Sequence, residues 1–196
     1  MPFRTILRTA LTTALIAAAT PVLAAEPTAP ELRETKAIFK VILSEIGSIE
    51  RCAIYPGWDG DSGGVPAAVA RRYLGIETKQ DVKPPRPAAR FETLFDPGPI
   101  GAAAFCDAEA DKSYTKELAA TNSKDDFSFP HFSFTFPVFN TRHTRAVVLE
   151  GGLIRGWRRE GGRLEEAGGF GAGQAVVLAK VHGAWKVIKR VQTWIT

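Results

Sequence analysis

From Phe127 onward the chain alternates as strands do, and no other feature of it constrains the fold as tightly. Phe127 and Phe129 flank Ser128; after Pro130 and His131 the aromatic positions become Phe132, Phe134 and Phe136, separated by Ser133 and Thr135. A period of two sends successive side chains to opposite faces of a sheet. The parity change at Pro130 moves the aromatic set by one residue, which predicts a bulge or bend there. Ala146 to Glu150 reads as a second strand, Gln174 to Val181 as a third and Ala184 to Ile195 as a fourth, with a tight turn at His182-Gly183. On the last of these, Trp185, Val187, Val191 and Ile195 are expected on one face, with Lys186, Arg190 and Gln192 turned to water. Gly151 to Gly173 is dense in glycine and reads as a turn-rich segment with a hairpin-like centre at Glu160-Gly161-Gly162-Arg163.

The preceding half reads as helices and loops. Thr28 and Glu31 have capping-box spacing, and Pro30 suits a first helical turn. Leu32, Thr35, Phe39, Ile42 and Ile46 recur at three and four residues, one face of a helix that Gly47 can end. Ser48 to Ile54 is read as extended, Pro56 to Gly64 as loop, and Pro66 to Leu74 as a short helix ending at Gly75. Pro84, Pro85 and Pro87 make Glu77 to Arg90 a surface connection, because proline lacks the N–H that a helix interior or a central strand uses. Ala108 to Thr121 can hold a short helix. Helices first and strands last predict an α+β fold, N-terminal helices packed on a C-terminal antiparallel β-meander.

The first residues have another character. Arg4 and Arg8 precede an uncharged run from Leu11 to Ala19, and Pro21-Val22-Leu23-Ala24 follows with small residues. That is the order of a secretory signal peptide, with cleavage near Ala24 or Ala25. The run falls short of the roughly 20 residues that cross a bilayer. Residues 1–24 are therefore read as signal peptide, 25–30 as linker and 31–196 as one domain. The expected destination is the periplasm or the exterior, without a membrane span in the mature chain. The formal charge of +4 falls to +2 once Arg4 and Arg8 are removed, a balance that argues against a nucleic-acid partner. Cys52 and Cys106 are the two cysteines; in an oxidising compartment such a pair predicts a disulfide.

Motifs that could carry chemistry are few. Gly60-Asp61-Ser62-Gly63-Gly64 resembles the nucleophile loop of chymotrypsin-like proteases, but His131, His143 and His182 all follow Ser62, whereas that family places its histidine before the serine. Asp59 and Asp61 resemble the start of a calcium loop. Ala70 stands where the closing acid belongs, which excludes an EF-hand and leaves at most a surface ion site. His131, inside the aromatic strand region, is the best candidate for a pocket acid or base, weighed against a structural histidine beside a bulge. Trp157-Arg158-Arg159 either holds an anion or stacks on a ligand, or decorates an exposed loop, and the last is favoured. Gly168 to Gly173 lacks the spacing of a dinucleotide fingerprint, and a strand follows where a helix should begin. No cofactor is expected.

The tail from Phe132 to Thr196 resembles a group of uncharacterised exported bacterial proteins. The shared pattern here is Phe136-Pro137-Val138-Phe139-Asn140, Thr144-Arg145-Ala146-Val147-Val148, the glycines from Gly168 to Gly173, Val176-Val177-Leu178, Gly183-Ala184-Trp185 and Trp194-Ile195-Thr196. Many members carry cysteines in the glycine turn, and this chain has none there. A meander ending in Gly-x-Trp-x-Val is also similar to the cone-shaped fold of the ketosteroid-isomerase and nuclear-transport-factor superfamily. That resemblance implies helices on a curved sheet around a pocket, and decides no activity.

These readings together predict an exported domain that binds a small ligand or an envelope protein without catalysis. The alternative is a small pocket enzyme, a hydrolase or isomerase, using His131 with a carboxylate. Expression in a bacterium with a working secretory pathway should yield an envelope or medium fraction whose mass lacks the first 24 or 25 residues. Recovery of the intact chain from the membrane would contradict the leader.

Overall fold

A computed structural model describes residues 26–46, 49, 51–60, 63–94, 102–121, 126–161 and 163–195. The leader, Gly47, Asp61 and Ser62 lie outside the described residues. Helix α1 (Ala29–Glu45) starts as its sequence dictates. The Thr28 side chain caps the Glu31 N–H while the Glu31 carboxylate accepts the Thr28 N–H at 2.7 Å. Its buried stripe is Thr35, Ile38, Phe39, Ile42 and Leu43. After β1 (Ile54–Trp58) comes the short α2 (Ala67–Val69), continued by a π-helical turn (Ala70–Leu74) that ends at a left-handed Gly75, φ 68°. Helix α3 (Ala108–Thr121) is capped by Asp107, whose carboxylate accepts the N–H groups of Glu109 and Ala110.

The sheet is built from β2 (Phe127–Phe134), β3 (Val138–Phe139), β4 (Arg145–Glu160), β5 (Arg163–Val181) and β6 (Ala184–Ile195), with β1 at one edge. The order is β1-β2-β4-β5-β6, and β3 continues the β2 side of β4. All pairs are antiparallel except β1 with β2, so the sheet is mixed rather than a pure meander. Where Pro137 interrupts that edge, the Thr135 hydroxyl accepts the Leu149 N–H at 3.0 Å and keeps the ladder satisfied. The chain is thus α+β, and no helix among the described residues is long and apolar enough to cross a membrane.

Both faces of the sheet are covered. On one, α1 packs Ile38, Phe39 and Ile42 against Phe134, Ala146, Val148, Val176 and Leu178. On the other, Val147, Leu149, Ala175 and Val177 meet Val65, Val69, Ala70 and Leu74. Further along that second face lie Phe129 and His131, and Phe129 meets Tyr114 of α3 edge to face at 5.3 Å. No bulge forms at Pro130: β2 pairs with β4 in unbroken register from Phe127 to Phe134. The parity change instead marks a change of burial face. Phe129 and His131 point to α3, while Phe132 and Phe134 point to the α1 core.

Other expectations also shift. Ile54–Trp58 is a strand where a loop was expected from Pro56 onward, and β4 and β5 extend through most of the glycine-dense segment to a hairpin turn at Gly161. Glycine weakens a strand in isolation, but these strands are paired on the β4–β5 side throughout. One of the glycines is needed: a Cβ on Gly173 would overlap the Trp194 indole. Another, Gly168, sits at φ 87° where the β4–β5 register shifts. On β6, register shifts split the expected face. Trp185 and Val187 join the α1 core and Val191 the opposite one, while Arg190 reaches Glu150 at 2.9 Å instead of facing water.

Cys52 and Cys106 form a disulfide with Cα atoms 4.5 Å apart, inside the usual range. It joins the segment entering β1 to the segment entering α3, and both cysteines are buried. Cys52 itself is left-handed, φ 62°, a conformation that costs a residue with a Cβ about 1 kcal/mol. With a sequence separation of 54 between the cysteines, the chain-entropy relation gives roughly 4 kcal/mol. The double variant Cys52→Ala/Cys106→Ala should lose stability of that order in denaturant unfolding; an unchanged midpoint would show that the bridge does not restrain the unfolded chain.

Candidate functional site

Three constraints aim α3 at the second sheet face. The disulfide holds its entry, Asp107 caps its first turn, and Arg155 of β4 donates to Asp111 at 2.5 Å. The guanidinium of Arg159 also donates to the Ala119 carbonyl. Residues 111, 115 and 119 then repeat every four positions, one stripe of the helix facing the strands. Because β4 is a strand here, Arg155 and Trp157 share one face, two residues apart. Trp157-Arg158-Arg159 is therefore part of the sheet and not a loop decoration.

His131 sits in β2 beneath this helix, 1% exposed. Its ring stacks on Tyr55 at 5.3 Å and touches Phe129 at 4.8 Å. Nε2 lies 3.5 Å from Asp111 Oδ1, and neither ring nitrogen has a hydrogen-bond partner among the described residues. Burial pushes the imidazole pKa below its ordinary value; the Asp111 carboxylate pulls the other way and is outweighed. Asp111 is in turn shared, one oxygen toward His131 and the other on Arg155, which also binds Glu166 at 3.1 Å and lies over the Trp157 ring at 5.1 Å. Tyr55 is raised by burial, with Arg155 opposing and Asp111 and Glu166 reinforcing.

Beside this cluster, a cleft of about 310 Å³ opens between α3 and the β4–β5 hairpin. The helix contributes Asp111, Lys112, Thr115, Lys116 and Ala119 to its wall; the strands contribute Arg155, Trp157 and Leu164. His131 is not among the lining residues, and Asp111 stands between it and the cleft. Three lining side chains carry buried polar atoms without a hydrogen-bond partner among the described residues: Thr115 Oγ1, Trp157 Nε1 and Asp111 Oδ1, the last lying 3.5 Å from His131 Nε2. The Thr115 case is informative by contrast. Thr35 and Thr121, also helical, donate to the carbonyl four residues back at 2.7 Å, and Thr115 does not.

The remaining candidates lie apart. Asp59 accepts the Ser133 hydroxyl at 2.6 Å, and the residues that would complete an ion or nucleophile loop with it, Asp61 and Ser62, lie outside the described residues. His143 occupies a left-handed turn position near Glu31, at 3.7 Å, and His182 a left-handed position in the β5–β6 turn. The Gly168–Gly173 run belongs to β5. Cys52, Cys106 and Asp111 bring ligand-type atoms within 4.8 Å of one another. Both sulfurs are spent in the disulfide, however, and a metal needs thiolates. Sequence reasoning passed over Asp111, Thr115 and Arg155. The available signal was the spacing of Asp111, Thr115 and Ala119 on a helix, together with Arg155 and Trp157 alternating on a strand.

The chain matches no protein-family model, and no curated protein or solved structure matches it.

The burial of His131 has a pH consequence. Its folded pKa is depressed, so the unfolded chain binds more protons, and the stability that its neutral form supplies is present above about pH 6.5 and lost as pH falls below it. Thermal unfolding followed from pH 7 to pH 5 should show the melting temperature of His131→Asn falling less steeply than that of the native chain. Parallel slopes would mean that this imidazole takes up its proton without resistance.

Proposed function

We propose that this chain is an exported α+β domain that holds a small ligand, without transforming it, in the cleft between α3 and the β4–β5 hairpin. The observation that carries the reading is a set of buried, unpartnered polar atoms, the donors Thr115 Oγ1 and Trp157 Nε1 and the acceptor Asp111 Oδ1, on residues lining one ligand-sized cleft. Buried polar groups are almost always satisfied, and binding sites combine an apolar lining with a few polar groups of this kind. The leader pattern, the disulfide and the resemblance of the tail to exported proteins support export. A concave site favours a small molecule over the envelope protein that the sequence reading kept beside it.

The enzyme reading rests on the His131–Asp111 pair, 3.5 Å apart. It is the weaker one because the imidazole side chain is 0% exposed and a general base must reach the proton it removes.

Ala119 lines the cleft, and Ala119→Trp should fill it. Native mass spectrometry of the mature protein released gently from the envelope, with a thermal-shift panel of small organic molecules, compares the two forms. A small-molecule adduct or stabilising compound seen with the native chain and lost in Ala119→Trp, with an unchanged circular-dichroism spectrum, is the expected result. A native chain that carries nothing and responds to no compound, or an adduct that survives the substitution, would overturn the reading.

A further inference from the structure

We infer that the ligand of the α3 cleft is a small organic anion, a carboxylate carried on a compact apolar body; the inference rests on the cleft reading above and names its ligand class. Charge points there first. The wall holds Lys112, Lys116 and Arg155 against one acid, Asp111, a net of +3 − 1 = +2. Arg155 is already matched, by Asp111 and by Glu166. With Glu166 counted the local balance is still positive, +1, and the cations without a paired acid are the two lysines. They are exposed and four residues apart on α3, the spacing at which like charges on a helix face each other and repel. Neither ammonium has an ion-pair or hydrogen-bond partner among the described residues.

Hydrogen-bond chemistry points the same way. The indole Nε1–H of Trp157 can only donate, and the Thr115 hydroxyl, free of its helix carbonyl, has a proton to give. With the two ammonium groups, four donors stand on residues lining one cleft. The one lining carboxylate, Asp111, gives one oxygen to Arg155, and its other, without a hydrogen-bond partner among the described residues, lies 3.5 Å from His131 Nε2. A cationic ligand would find the acid's charge already matched by Arg155 and two ammonium groups opposing it. A neutral ligand would satisfy the donors and leave the lysine pair uncompensated. An anion answers both, and charge-assisted hydrogen bonds are the stronger kind. Apolar surface from Leu164, Ala119 and the Trp157 ring suits the rest of such a molecule.

Three naphthalene probes of equal body and different head test this: 2-naphthoate, 2-naphthamide and 2-naphthylmethylamine. They are titrated into the ¹⁵N-labelled mature protein while the Trp157 indole N–H is followed, assigned by its loss in Trp157→Phe. Naphthoate should move that signal and bind about tenfold tighter than the amide, with the amine weakest. Lys112→Gln/Lys116→Gln, at exposed positions where folding is not at stake, should erase most of the preference for the acid. Thr115→Val should weaken naphthoate severalfold. If the amide or amine moves the indole signal and binds as tightly as naphthoate, the anion class is overturned while the cleft reading stands. If naphthoate alone leaves the signal unmoved, the class is again overturned. If all three leave it unmoved, the cleft reading loses its support as well.

Discussion

Strand β4 is hydrogen-bonded to β2 and β3 along one edge and to β5 along the other, and between Ala146 and Gly151 both of its faces are buried. A strand in that position cannot shift register without exposing one core and burying the polar ends of the other. Its one buried acid, Glu150, is correspondingly well held. It accepts Gln174 of β5 at 2.8 Å and Arg190 of β6 at 2.9 Å, and Arg190 goes on to Glu45 of α1 at 3.0 Å. A carboxylate in such a place is tolerated because its donors come from the strands beside it.

Helix α1 is fastened on the same face by a second polar set. Glu34 accepts Lys180 at 2.6 Å and the Trp185 indole at 2.7 Å. Burial pushes that carboxyl upward, but the two donors outweigh it and keep it below the ordinary carboxylate range. The terminal Gly-x-Trp segment is therefore a structural clasp between the last hairpin and the first helix. The opposite face is closed in two pieces, by the turn around Ala70 and Leu74 and by α3. The second leaves a cleft, where α3 stands on long side chains, Arg155 and Trp157, and not on small aliphatic ones.

The row His131, Asp111, Arg155 and Glu166, running from a buried imidazole to an exposed carboxylate, sets the character of that site. The Asp111 carboxylate lies between the His131 imidazole and the Arg155 guanidinium, and burial lowers the imidazole pKa and so favours its neutral form. The row resembles a catalytic relay in composition but is turned inward, which makes it a support for the cleft wall.

Local signals in the sequence were sufficient for the capped start of α1, the end of the short helix at Gly75, the hairpin at Gly161, the turn at His182 and the cysteine pair, because each depends on a few adjacent residues or on a single chemical pairing. They were insufficient for Gly151 to Gly173, where glycines read as turns. Pairing with a neighbouring strand and the close approach of Trp194 make those residues strand, and both come from distant parts of the chain. The aromatic parity at Pro130 was legible as a pattern and ambiguous as a structure. Bulge and change of face produce the same spacing, and only the position of α1 and α3 on opposite sides decides between them. The site follows the same division. His131 could be chosen from its type alone, but that it is sealed, that Asp111 lies beside it, and that Thr115, Trp157 and two lysines border one cleft are matters of which helix lies on which strand. Sequence by itself determined the class of fold, its caps and its crosslink. Tertiary structure alone decided where the buried charges sit and which donors are left unpaired, since burial and partnership are properties of contacts between segments far apart in the chain.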